Sequence, residues 1–93
     1  MVIGYLSLEI FLPYSHSLKD KRQRLSSLIQ RLRKRYNVAF AELDYQKKWQ
    51  RTTIGIVTLN NQKKVIERLF QRIIADAEQN IDGQILNHQT HYL

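Results

Sequence analysis

Basic side chains are the main chemical resource of this sequence, and they are unevenly placed. Between positions 19 and 35 stand Lys19, Lys21, Arg22, Arg24, Arg31, Arg33, Lys34 and Arg35 against one acid, Asp20. That balance of +7 equals the net charge of the whole chain, so the remaining residues are neutral in sum. A solubilising surface needs no such concentration, whereas a phosphate-rich or acidic partner favours it. A second group, Lys47-Lys48-Trp49-Gln50-Arg51, sets cations beside an indole. Side chains of these kinds contact phosphates and stack a base of single-stranded RNA. Trp49 fits equally well as a plug against the core or against a dimer mate.

Other groupings offer less. The segment Pro13-Tyr14-Ser15-His16-Ser17 contains no glycine with which to wrap a phosphate. The amides of Leu18 and Lys19, with His16 and Arg22 nearby, could hold an anion, but any helix terminus does that. His88 and His91 are three apart in a strand-like segment and should point to opposite faces, which spoils a shared metal or a catalytic pair. Glu42 and Asp44 share a strand face without a third ligand and read as a solvated edge or as ion-pair partners for Arg51. Phosphate-loop, zinc-protease, nucleophile-elbow and dinucleotide motifs are all missing. The residues therefore predict a binding protein and not an enzyme, with no metal and no cofactor.

Those side chains need a scaffold, and 93 residues supply one core. The absence of cysteine removes disulfides, thiolate metal sites and cysteine nucleophiles. The apolar start, MVIGYLSLEIFL, carries Glu9, lacks a charged leader and is too short to span a membrane. A cytoplasmic protein is the simplest expectation.

Six elements follow from periodicity. Residues 2–12 read as a strand ended by Pro13. Ser17 caps a helix from Leu18 to about Tyr36, with Asp20 completing a capping box and Leu18, Leu25, Leu28, Ile29, Leu32 and Tyr36 on one stripe. Residues 38–45 and 52–59 form a hairpin through the connection Gln46-Lys47-Lys48-Trp49-Gln50-Arg51. Asn60 or Asn61 caps a second amphipathic helix carrying Val65, Ile66, Leu69, Phe70, Ile73, Ile74 and Ala77. After Ile81-Asp82-Gly83, residues 84–92 make a last strand. The order βαββαβ is that of an α+β, ferredoxin-like domain spanning residues 1–93, a four-stranded antiparallel sheet with two helices on one face.

Such a fold leaves one sheet face open, yet both alternating sets of the first two strands are apolar. Sheet-to-sheet homodimerisation through Ile3, Tyr5, Phe11, Val38 and Phe40 is the expected use of the surplus. The third strand, RTTIGIVTL, lacks the aromatics with which RNA-recognition motifs stack bases. RNA contacts are therefore expected from His16, Lys19, Lys21, Arg22, Arg24, Arg31, Lys34 and Arg35 on the helix side, and from Lys47, Lys48, Trp49 and Arg51 on the connection.

The strings SHSLKDKR (15–22), AELDYQ (41–46) and WQRTTIG (49–55), in this order and spacing, resemble the YlxP-like family of small bacterial domains of unknown function. The matching positions include Ser15, His16, Ser17, Leu18, Lys19, Lys21, Arg22, Trp49, Gln50 and Arg51. Departures are the Lys47-Lys48 pair and the polar stretch from Asn87 to His91. The resemblance implies a ferredoxin-like fold and no catalytic residues. Genes of this family often lie beside those for transcription elongation, translation initiation and ribosome maturation factors, which implies a ribosome- or RNA-linked role. The expectation is thus a small RNA- or ribosome-associated binding protein. Its alternatives are a dimeric module for an acidic protein partner and, behind it, an acylphosphatase-like enzyme.

Overall fold

Alternation along the first strand sorts the molecule into two sides. In the computed structural model, which describes residues 1–93, β1 (Val2–Phe11) buries Leu6, Leu8 and Ile10 against the helices. The opposite set, Ile3, Tyr5, Ser7, Glu9 and Phe11, is only partly covered. The chain continues through α1 (Leu18–Arg35), β2 (Ala39–Asp44), β3 (Arg51–Asn60), α2 (Lys63–Asn80) and β4 (Gln84–Tyr92). The sheet order is β2-β3-β1-β4 with every pair antiparallel, the ferredoxin-like arrangement. Leu12 just after β1, Ile54 and Ile56 of β3, Leu25, Leu28 and Leu32 of α1, and Ile66, Phe70, Ile73 and Ala77 of α2 complete the core.

Register corrects one expectation. Phe40 pairs with Ile56, which pairs with Leu6, and side chains in one such row share a face. Val38 and Phe40 therefore pack on the core beside the helices, with the Arg33 guanidinium 5.9 Å from the Phe40 ring centre. They are not on the open face. Ala39, Ala41 and Leu43 take that side of β2, and Leu43 and Tyr5 lie over Gly55, where a Cβ would collide with the Leu43 side chain.

The caps behave unequally. Ser17 Oγ accepts from Asp20 N–H at 3.0 Å, while the Asp20 carboxylate accepts from His16 N–H at 3.0 Å, so the reciprocal bond falls one residue earlier than in a standard box. Asn60 accepts from Gln62 N–H at 2.9 Å in the turn before α2. The capping position itself is Gln62, and its side chain makes no capping bond.

A buried carboxylate clamps the two helices together. Asp76 of α2 accepts from Arg31 and Arg35, each at 2.9 Å, from the Tyr36 hydroxyl at 3.2 Å and from Asn80 at 2.8 Å. Burial pushes its pKa up, but the hydrogen bonds from Arg31, Arg35 and Tyr36 outweigh that and hold it below the ordinary 3.8. A carboxyl depressed in the folded state contributes stability that is full above its unfolded pKa and lost as pH falls through the folded value. Urea midpoints followed by circular dichroism should therefore drop below about pH 4. In Asp76→Asn the midpoint at neutral pH should already be lower, and its further fall on acidification smaller. An unchanged acid dependence would show that Asp76 does not set it.

Candidate nucleic-acid interface

Local geometry fixes the hairpin connection between β2 and β3 before any ligand is considered. Tyr45, with φ of 62°, is the one non-glycine residue with left-handed backbone. Its carbonyl accepts from Lys21 Nζ at 2.6 Å and from Lys48 N–H at 3.0 Å. Gln50 donates its side-chain amide to the carbonyls of Pro13 at 3.1 Å and Ser15 at 3.3 Å, while its own carbonyl accepts from Leu12 N–H at 2.8 Å. The connection is thereby tied to the end of β1 and the start of α1. Their cations share one end of the molecule.

Beneath it lies an ion pair. Lys21 is 1 % exposed, and its ammonium sits 2.9 Å from Glu42 Oε2, which also accepts from Thr52 Oγ1 at 2.5 Å. Lys21 was expected among the RNA-binding cations. It is instead a core residue, because residues 18, 21, 25, 28 and 32 recur at spacings of three and four and share one helix face.

Other cations of the cluster are committed within the fold. Arg24 bridges Asp20 at 3.1 Å and Asp82 at 3.0 Å, Arg31 and Arg35 hold Asp76, and Arg51 pairs with Glu9. Their side chains remain partly exposed, but each already has a carboxylate. Expected pairing of Arg51 with Glu42 or Asp44 is thus replaced by Glu9. The Arg51 guanidinium also lies 4.5 Å from the Tyr45 ring centre. Without a carboxylate partner stand Lys19, Arg22, Arg33 and Lys34 on α1, and Lys47 and Lys48 on the connection. His16 is exposed beside the helix start.

The connection borders a cleft of about 730 Å³ lined by Phe11, Tyr45, Trp49 and Leu86 together with Lys47, Lys48, Gln50 and Arg51. Trp49 is 55 % exposed and takes no part in the core. Trp49 is therefore not a plug against the core of its own chain, whereas packing against a dimer mate is compatible with its exposure. Phe11, Tyr45 and Leu86 were not foreseen as cleft residues, since only the tertiary fold brings the three strand ends together. His88 and His91 point to opposite sides as expected. His91 stacks on Tyr5 with ring centres 6.0 Å apart, and His88 borders a groove with Phe70 and Tyr92.

A family model described as "Protein of unknown function (DUF503)" matches residues 3–90. The chain belongs to this family. Protein YlxP of Bacillus subtilis (strain 168), described as uncharacterized, is 34% identical over 74 residues, covering 80% of each chain. The resemblance carried by the three strings is borne out. Among solved structures, protein YJCS aligns with a TM-score of 0.59 at 9% identity over 96% of both chains. The de novo designed protein Foldit4 aligns at 0.52 and 13% identity, covering 99% of this chain and 94% of its own. Both show the fold alone. In this DUF503 chain the three strings meet in space: Lys21 from the first, Glu42 and Tyr45 from the second, and Gln50 and Thr52 from the third form the network beneath the cleft.

Proposed function

We propose that this DUF503 protein binds single-stranded RNA, with ribosomal particles as its setting. One observation carries the reading: cations without carboxylate partners border two grooves, Lys19 and Arg22 on the first turns of α1, and Lys47 and Lys48 on the hairpin connection that is tied to the start of that helix. Neighbouring carboxylates Asp20, Glu9 and Glu42 are ion-paired, and Asp44 accepts from Tyr45 N–H at 2.7 Å. A surplus of unpaired positive charge fits a phosphate backbone, which is held mainly by such contacts. The gene neighbourhood implied by the family resemblance agrees.

Binding of a fluorescent single-stranded oligoribonucleotide, measured by anisotropy against salt, tests it. About five phosphate contacts at ~0.7 each predict a log–log slope of about −3.5. Changing Lys19, Arg22, Lys47 and Lys48 together to glutamine should flatten that slope by up to ~2.8 and leave the thermal midpoint in place. Arg24→Gln and Arg31→Gln, by contrast, should lower stability, because each leaves a carboxylate short of its partner. A parent protein that ignores RNA at every salt concentration would refute the reading and favour an acidic protein partner.

We further infer that a second copy of the chain covers the open sheet face. Apart from Glu9, Asp44 and Arg51, gathered near Phe11 with Arg51 paired to Glu9, that face carries no charged side chain, so two +7 chains can meet there with little like-charge repulsion. Leu59, 65 % exposed, leads its apolar end together with Ile3, Tyr5 and Val57. Four strands ~4.8 Å apart, three of them nine or ten residues long and β2 six, at ~3.3 Å per residue give roughly 550 Å² before side-chain relief is counted. That approaches the ~800 Å² per partner of a standard interface. Light scattering at micromolar concentration should find a dimer that Val57→Glu with Leu59→Glu converts to monomer. A parent that is already monomeric would refute it.

A further inference from the structure

We propose that the cleft beside Trp49 is a binding site for one unpaired nucleobase, with the adjoining phosphates on Lys47 and Lys48. The inference rests on the RNA reading above and gives it a specific contact. Three features of the cleft support it.

The first is an exposed indole on an immobilised backbone. Trp49 stands between Lys48, whose N–H is bonded to the Tyr45 carbonyl, and Gln50, whose side chain and carbonyl are both tied to the end of β1 and the loop after it. More than half of the largest side chain type is thus left in water by a connection that is not loose. Holding an aromatic in this way lowers the ordering cost of stacking something on it.

The second is composition. Phe11, Tyr45 and Leu86 give the cleft apolar walls, Lys47 and Lys48 give it charge without partners, and no acid lines it. An apolar slot edged by unpaired ammonium groups suits a flat π-system that carries negative charge, which is the chemistry of a nucleotide. The third is size, since about 730 Å³ falls within the range of small-ligand pockets and exceeds what a single phosphate would need. Arg51 has a different part. Paired with Glu9 and set over the Tyr45 ring, it positions that wall and is not a free phosphate contact.

Trp49 is the sole tryptophan, so its emission reports this site directly. Titrating the full chain with a ten-nucleotide single-stranded RNA should quench that emission, and the same backbone made abasic should bind without quenching. Trp49→Ala should weaken affinity for the intact strand by roughly 5- to 150-fold, the loss typical of one base stacked on one aromatic. It should leave the salt slope unchanged, and Trp49→Phe should retain most of the affinity. Unquenched emission together with unchanged affinity of Trp49→Ala overturns the base site. If the four-cation variant still loses binding in that case, RNA binding stands without it. If the parent binds no RNA at all, both readings fall together.

Discussion

Lys21→Ala should lower the free energy of unfolding by about 3 kcal/mol, near the low end of the ~3–5 kcal/mol typical when one partner of a buried ion pair is removed. The low end applies because the Glu42 side chain is 26 % exposed and can recover some hydration. Removal acts in three ways at once. Glu42 loses its countercharge, the Tyr45 carbonyl loses a donor at 2.6 Å, and the aliphatic stem that fills the helix stripe disappears. Lys21→Met separates these terms by keeping the stem and removing only the ammonium. Lys21→Met combined with Glu42→Leu should regain much of the loss, since replacing both members of a buried pair by apolar groups is often near neutral. Urea unfolding followed by far-ultraviolet circular dichroism measures all three. A cost below about 0.5 kcal/mol for Lys21→Ala, the range of an ordinary surface substitution, would return Lys21 to the pool of cations free for a partner.

Phe70→Ala is expected to cost a similar or larger amount, about 3–5 kcal/mol, as for other buried aromatics cut to alanine. Phe70 is fully enclosed between α2 and the sheet, over Gly4 of β1 and beside Tyr92 of β4, whose ring centre is 6.3 Å away. Its removal opens a cavity that the strands cannot close, because backbone pairing holds β1 between β3 and β4. Against a total stability of roughly 5–14 kcal/mol for a chain of this length, that is a large fraction. The complementary change, Gly4→Ala, drives a Cβ into Ile66 and the Phe70 ring and should cost about 1–3 kcal/mol by overpacking. Thermal midpoints of the single and double variants would show whether truncating Phe70 relieves Gly4→Ala. If the two penalties simply add, Ile66 alone carries the clash.

Much of this architecture is legible in residue patterns because short-range physics sets it. Period-two alternation in β1, the leucine stripe of α1 and the Ser17–Asp20 cap each depend on neighbours a few residues away. What the pattern leaves open is decided by distant partners. Val38 and Phe40 are as apolar as Ala39, Ala41 and Leu43, and only pairing with Ile56 sends the first pair to the core. Arg24, Arg31 and Arg35 look free in the sequence, but their carboxylates, Asp82 and Asp76, lie 58, 45 and 41 residues along the chain. Lys21 was within reach, since it falls on the leucine stripe, but a lysine there invites a surface reading until Glu42 is seen beneath the loop. For Trp49 the connection's composition suggested two roles, and its exposure eliminates the core plug.

Tyr45 also limits how this hairpin can diverge among descendants of the sequence. A side chain at φ of 62° is costly for most residues and prohibitive for β-branched ones, so replacement is confined to glycine, asparagine and a few others. Inserting or deleting a residue between β2 and β3 would move the left-handed position off the residue whose carbonyl meets Lys21. Loop length, usually the freest variable of a hairpin, is here coupled to how α1 sits on the sheet. Homologues that vary the length of this connection should also have lost the lysine beneath it.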